Sequence, residues 1–337
     1  MSHKNILYIG NDLTKKTKYN STLAVLSLLL TKEGFSIKKS SNKTNKIHRL
    51  LDMCFSVIKF RKSTDYILID TYSTTNFYYA LITSQLARLF NIKYIPILHG
   101  GNLPYRLSKS SKLSQLIFKN SYKNVAPSHY LKNAFEKAGF STIYIPNTLE
   151  IDLYPFKHRK TIKPKLLWVR AFKEIYNPVM AIEVLSLLKK KYANASLCMI
   201  GPFVDDTHLQ AKLLVKKLQL KDSVEFTGVL LKEDWHKKSE EFDIFINTTN
   251  FDNTPVSVME AMALGLPVVS TNVGGIPYLI QENYDGLLVA KSNPKEMAIA
   301  ISHILDQRFP EISLMARKKV EKFDWNVVKY KWLEILK

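Results

Sequence analysis

The sequence predicts an α/β fold of two doubly wound parallel sheets in tandem. Twelve short apolar, β-branched runs alternate with helix-length amphipathic segments along the whole chain. That rhythm breaks once, near the middle. At 337 residues the chain also exceeds the usual size of a single domain.

In the first half, strands are expected at 6–9, 35–38, 66–70, 94–98, 124–126 and 143–145, with amphipathic helices such as 22–32 and 77–90 between them. Continuous apolar strands joined by helical crossovers describe a parallel sheet covered on both faces. The segment "LEIDLYPFKHRKTIKPK" interrupts the pattern with two prolines and clustered charge, and reads as a linker near 150–164. A second series follows at 166–169, 197–200, 224–227, 244–246, 267–270 and 287–289. Its helices are expected to begin near Pro178, Asp206, Lys232, Pro255, Ile276 and Pro294. The domains are accordingly placed at 1–160 and 161–322, with 323–337 as a separate terminal helix.

Composition narrows the setting. With 46% hydrophobic and 11% aromatic residues the chain has enough apolar material for two cores. Cys54 and Cys198 lie far apart without a ligand cluster, so no disulfide framework or zinc site is expected. The first apolar run and the stretch 23–30 are too short for a signal peptide or a bilayer span, which suggests a cytoplasmic chain. Charge is unevenly placed: residues 1–160 hold 25 Lys and Arg against 8 Asp and Glu, whereas 161–337 hold 24 against 21. The first half therefore suits an anionic partner such as a membrane surface, a phosphorylated acceptor or nucleic acid, or carries its lysines simply for solubility. No basic stripe interleaved with exposed aromatics supports a nucleic-acid module.

Neither half contains a G-x-G-x-x-G or Walker pattern, which argues against dinucleotide redox chemistry and P-loop hydrolysis. Ligands of such sheets bind beyond the carboxyl ends of strands, so the residues just after strands are the candidates. The segment "NTTNFDNTPVSVMEAMALGLPVVST" stands out because Glu260 lies within an apolar helix. Thr254 reads as the N-cap and Pro255 as the first helical residue, which would aim free backbone N–H groups at a phosphate. Glu260 would then accept hydroxyls of a ribose, or else form an internal salt bridge to a neighbouring Lys or Arg.

The spacing Asp252 to Glu260, followed by "AMALGLPVVSTNVGGIP", resembles the paired-acid segment of the retaining glycosyltransferases of family 4. "LWVRAFKEIYNP", "NVAPSHYLKNAFEKAGF", "IYIPNTLEIDLYPF" and "ILHGGN" resemble further segments of that family, in order, over roughly residues 94–306. The resemblance implies a GT-B fold, with two Rossmann-like domains facing across a cleft. It implies transfer of a sugar, with retention, from a nucleoside-diphosphate sugar to an acceptor hydroxyl, without a metal or other cofactor. The acceptor is expected to be lipid-linked or an oligosaccharide, the lipid-linked case being suggested by the basic first half alone. Carried over by residue, Glu260 would hold the donor ribose and Arg170 the diphosphate. Asp252, Asn253, Thr254 and Pro255 would lie against the sugar, and His99 would approach it from the other domain. Gly201 and Gly228 follow strands where base and ribose would lie, although turns alone would account for them, as for Gly274 and Gly275.

The chain departs from the family at three places. Asp252 stands where the family has Glu, and Tyr176 stands at the position of a diphosphate-contacting Lys, with Lys173 as a substitute cation. Gly10 is followed by a lysine-bearing loop rather than by a second glycine. Lys15, Lys16 and Lys18 in this loop, with Gly100 and Gly101, would face an acceptor, or the lysines form a solvated basic loop. His129 and His303 read as structural, and Trp168, Trp235, Trp325 and Trp332 as packing residues. The terminal segment is expected to cross back to the first domain. A nucleotide-sugar epimerase of the same architecture is the rival enzyme, and a basic nucleic-acid-binding protein the rival of another class.

Overall fold

The computed structural model describes residues 4–12 and 21–337. The chain forms two compact units, Met1–Asn147 with Trp325–Lys337, and Thr148–Asp324.

In the first unit the strands are β1 (Asn5–Ile9), β2 (Ser36–Ser40), β3 (Tyr66–Thr71), β4 (Lys93–Leu98), β5 (Asn124–Ala126) and β6 (Thr142–Tyr144). Between them run α1 (Thr22–Lys32), α2 (Lys46–Phe60), α3 (Thr75–Leu89), α4 (Leu103–Lys109), α5 (Ser111–Phe118) and α6 (His129–Lys137). The strands pair in parallel in the order β2-β1-β3-β4-β5-β6. β3 is buried along its whole length, as a central strand covered on both faces must be. Side-chain caps start several helices: the Ser21 hydroxyl accepts from the Ala24 amide, and Asn45 Oδ1 accepts from the Ile47 and His48 amides.

The second unit holds β7 (Lys165–Val169), β8 (Ser196–Ile200), β9 (Val224–Gly228), β10 (Ile244–Asn247), β11 (Val268–Thr271) and β12 (Leu287–Val289). Its helices are α7 (Pro178–Lys189), α8 (Thr207–Lys217), α9 (Lys232–Lys238), α10 (Val256–Ala263), α11 (Ile276–Leu279), α12 (Pro294–Leu305) and α13 (Ile312–Glu321). The strands again pair in parallel, ordered β12-β11-β10-β7-β8-β9. The strand order therefore reverses between β7 and β10, and in the first unit between β1 and β3, while every strand stays parallel. These are the points at which loops diverge and leave a crevice.

A last helix, α14 (Trp325–Ile335), belongs to the first unit. Trp325, Val328, Trp332 and Ile335 pack into the core formed by Ile6, Tyr8, Leu23 and Ile95. The indole of Trp325 donates to Glu33 at 3.0 Å, and the Tyr66 hydroxyl donates to the Lys337 carbonyl at 2.6 Å. Among the described residues, no helix is long and apolar enough to cross a membrane.

Two local expectations need correction. The 150–164 segment is not a free linker, because it lies within the second unit. Arg159 is buried and donates to the carbonyls of Phe242, Leu264, Ser239 and Lys157, which fastens the segment to the sheet's loops. The Arg159 charge there serves attachment rather than solvation. The start of α10 is also displaced by one residue: Pro255, with φ −69° and ψ 119°, is the cap, and Thr254 precedes it.

Gly201 and Gly228 have conformational explanations. Gly201 follows β8, where its amide donates to the Gly228 carbonyl at 2.8 Å, and an added Cβ would stand 1.8 Å from the Arg170 carbonyl oxygen. Gly228 has φ +71° with nothing within 4 Å of an added Cβ. Gly201→Ala is thus expected to destabilise the fold by more than about 2 kcal/mol, and Gly228→Ala by about 1 kcal/mol. Urea unfolding of both variants checks the order.

Candidate active site

In the second unit, the loops after β7 and β10 flank the reversal of the sheet and are tied together. The Trp168 indole donates to the Thr248 hydroxyl, which is 2.9 Å from the carbonyls of both Tyr176 and Asn177. The Thr249 hydroxyl and the Asn250 amide both donate to the Ile175 carbonyl. Trp168 is therefore a packing residue that also carries a tether.

These tethers bring Arg170 and Asp252 together as an ion pair through Nη2 and Oδ2. The guanidinium also lies over the Tyr176 ring, 4.4 Å from its centroid. Burial pushes the Arg170 pKa down from its ordinary value, opposed by Tyr176; a guanidinium paired with a carboxylate nevertheless stays cationic. Tyr176 thus occupies the face of Arg170, whereas Lys173 is exposed on the preceding turn. Asp252 is held in place from behind. The Asn253 amide donates to Asp252 Oδ1 at 2.8 Å, and the Gly275 amide donates to the Asp252 carbonyl at 3.0 Å. An added Cβ on Gly274 would stand 2.1 Å from that same carbonyl oxygen, so Gly274 permits a close approach.

Asn253, Thr254 and Pro255 lead into α10. The Pro255 carbonyl accepts from the Val258 and Met259 amides. Ser257 follows in the first turn, and its buried hydroxyl has no hydrogen-bond partner among the described residues; the same is true of Arg170 Nε.

Glu260 is 8% exposed, and among the described residues its two polar side-chain contacts both fall on Oε1. The Tyr154 hydroxyl donates to it at 2.8 Å, and Lys232 Nζ lies at 3.0 Å. The internal salt bridge weighed from the sequence is therefore present, with Lys232 as its cation. Burial, then the Glu260 charge, raises the Tyr154 pKa far enough that the phenol stays protonated and donates. Arg317 closes the far end of α10 by donating to the Ala263 carbonyl at 2.7 Å and to the Tyr154 carbonyl at 2.8 Å.

In the first unit, His99 follows β4 and its Nε2 is 2.8 Å from Asp70 Oδ1 at the end of β3. The Tyr8 hydroxyl donates to the same oxygen at 2.9 Å. A carboxylate accepts here, so Nε2 carries a proton, and in the neutral tautomer that fits this contact Nδ1 is left as an acceptor. The ring stacks on Tyr72 with centroids 5.3 Å apart. Gly10 and Gly100 make this packing possible. An added Cβ on Gly10 would stand 2.6 Å from Asp70 Oδ2, and one on Gly100 would stand 2.8 Å from the Ser73 amide. Gly101 continues the turn into α4. Lys15, Lys16 and Lys18 lie outside the described residues.

Asp70, Tyr8, Tyr154 and Lys232 were not singled out from the sequence. Asp70 sits at a strand end, and Lys232 begins the helix after β9, so both positions carried a signal; Tyr154 lay in a segment that read as linker.

Residues 150–323, just over half of the chain, match the family model for glycosyl transferases group 1. The chain belongs to the group 1 glycosyl transferases. The amylovoran biosynthesis glycosyltransferase AmsK of Erwinia amylovora is 31% identical over 166 residues, covering 47% of this chain and 40% of that protein. The putative colanic acid biosynthesis glycosyltransferase WcaL of Escherichia coli K12 is 30% identical over 131 residues, covering 36% of this chain and 31% of that protein. The matches thus span less than half the length of these relatives. Among solved structures, Anabaena Alr3699/HepE in complex with UDP and glucose superposes with TM-score 0.77 at 17% identity over 99% of both chains. Sucrose-phosphate synthase from Thermosynechococcus elongatus superposes with TM-score 0.80 at 16% identity, over 99% of this chain and 98% of that one. This group 1 glycosyl transferase therefore has the GT-B fold, with a Rossmann-like sheet in each unit.

Two measurements follow from this geometry. Asp70→Ala removes the acceptor of Tyr8 and His99, and is expected to cost about 1–3 kcal/mol. The cost should be smaller in a Tyr8→Phe background, and additive losses in denaturant unfolding would contradict the shared acceptor. The buried His236 ring lies tilted at 43° against Tyr154, with centroids 4.6 Å apart. Desolvation, then Lys232, lowers its pKa from 6.5 to about 4. Between these values the unfolded chain binds the proton and the folded chain does not, so stability falls as pH drops through that window. His236→Gln should lose less thermal stability than the parent protein over the same interval.

Proposed function

We propose that this chain is a retaining, metal-independent glycosyltransferase of family 4, acting at the cytoplasmic membrane face. It would transfer a sugar from a nucleoside-diphosphate sugar to an acceptor hydroxyl during assembly of a cell-surface polysaccharide or glycolipid. The observation that carries the proposal is the cluster at the reversal of the second sheet. It comprises Arg170 beside Asp252, the N-terminus of α10 with the unpartnered Ser257 hydroxyl, and Glu260 further along the same helix. The amylovoran and colanic acid names of the relatives, and the UDP and glucose held by the Anabaena protein, support the same reading.

In this proposal the diphosphate exchanges with Asp252 for the Arg170 guanidinium, which bonds two oxygens at once and remains charged as the leaving group develops. The α10 N–H groups and the Ser257 hydroxyl complete the anion site. Stabilisation concentrated on the leaving diphosphate lowers the barrier without needing a metal in this role. Glu260 Oε1 is engaged by Tyr154 and Lys232, which fix the orientation of the carboxylate. Oε2 then accepts a ribose hydroxyl, so the salt bridge supports the donor role rather than replacing it. Asp252, shorter than the family Glu, is assigned to the sugar hydroxyls. In the first unit His99 Nδ1 offers an acceptor to a hydroxyl. The basic first half would hold the protein near anionic lipid and a lipid-linked acceptor.

Thermal shifts with uridine, guanosine and adenosine diphosphates test the donor site. A ligand at one hundred times its Kd stabilises the folded state by about 2.7 kcal/mol. Glu260→Gln preserves the shape of the helix and is expected to weaken the effective nucleotide about tenfold. An undiminished shift would place the nucleotide elsewhere. Conversion of a nucleotide sugar without any acceptor would favour an epimerase.

A further inference from the structure

Helix α2 is apolar on two faces. Met53 and Val57 point into the core of the first unit. On the other side Ile47, Leu51, Phe55 and Ile58 are 69%, 60%, 61% and 41% exposed. Their spacing places them on one stripe running three turns along the helix. A solvent-facing helix surface ordinarily carries polar side chains there.

The surroundings of the stripe are cationic. Lys46 and His48 flank its start; Lys59, Arg61 and Lys62 flank its end, all exposed. Lys38 and Lys39 are exposed on β2, at the edge of the sheet. Of the 8 Lys and Arg between residues 36 and 62, Arg49 is buried and Lys39 pairs with Asp12, which leaves six exposed cations against one partly buried acid, Asp52. The long side chains lie along aromatic rings: Lys59 Nζ is 5.9 Å from the Phe55 centroid, and Lys38 Nζ is 4.0 Å from that of Phe60. Such a stem covers apolar surface while the ammonium remains available to an anion.

We propose that this face of α2 is the surface by which the protein docks on an anionic lipid bilayer. The apolar stripe would enter the boundary between headgroups and acyl chains, and the basic rim would meet lipid phosphates. A second copy fits less well, because a two-fold contact through the stripe would set one basic rim against another. The inference deepens the membrane-associated part of the proposed function, yet uses none of the donor-site residues. Its failure is therefore distinguishable from failure of the nucleotide experiment.

Cosedimentation of the whole chain with phosphatidylcholine vesicles, with and without phosphatidylglycerol, tests the proposal. Binding is expected only when phosphatidylglycerol is present, and is expected to weaken at high salt. The double variant Leu51→Gln/Phe55→Gln should reduce it by at least about tenfold. These side chains are exposed, so its thermal midpoint and its shift with uridine diphosphate should match the parent protein. Leu213→Gln, at an exposed position of α8 in the second unit, serves as the control and should bind like the parent. Equal binding by the double variant, or no binding to either vesicle, would overturn the proposal. A dimer in sedimentation that dissolves in the double variant would instead assign the face to a second copy.

Discussion

The buried carboxylate of Glu260 constrains much of the second unit. Its helix neighbours Val258, Met259, Ala261 and Met262 are fully buried, so the acid must find its counterparts locally or lose its charge. Tyr154 and Lys232 supply them from segments that are remote in sequence. One oxygen thereby joins α10 to the 150–164 segment and to the start of α9. Arg317 joins the C-terminal end of α10 to the same segment. Those anchors hold the C-terminal half of α10, while the Gly275 amide bonded to the Asp252 carbonyl holds the loop that leads into it.

From that loop the constraint passes to Arg170. The tethers through Thr248, Thr249 and Asn250 keep the loops after β7 and β10 together, and the Arg170–Asp252 pair closes the gap. Glycine makes the closure sterically possible at Gly201 and Gly274, where backbone meets backbone with no room for a Cβ. The first unit solves a similar problem at smaller scale, since Asp70 receives Tyr8 and His99 on one oxygen. In both units a carboxylate near the carboxyl ends of strands orients a basic group. Preorganisation of this kind lowers the reorganisation needed when charge develops in a reaction.

The strands were the most legible part of the sequence, and the reason is burial. A central parallel strand is covered on both faces, so β3, β10 and β11 read as continuous apolar runs bounded by polar residues. Proline at the first turn marked α7 and α12, whose caps Asn177 and Asn293 emerged only from the structure. The four tryptophans are at most 5% exposed, in agreement with their reading as packing residues. Less legible were features whose meaning depends on a distant partner. Arg159 and Tyr154 resemble linker residues until their carbonyl and carboxylate partners are known. Thr254 has the chemistry of a cap, but the backbone turns helical one residue later than its position suggests.

Sequence alone determined the alternation of strand and helix, the strand-end positions of Arg170, Asp252 and His99, and the basic character of the first half. These follow from periodicity, proline placement and charge, all of which are local properties of the chain. Only the tertiary structure decided which groups meet: that Glu260 pairs with Lys232 and Tyr154, that Arg170 lies between Asp252 and the Tyr176 ring, and that Asp70 holds His99. It also decided which stripe of α2 faces solvent. Contacts of this sort join residues many positions apart, and their geometry depends on ångström-scale packing that no local pattern encodes.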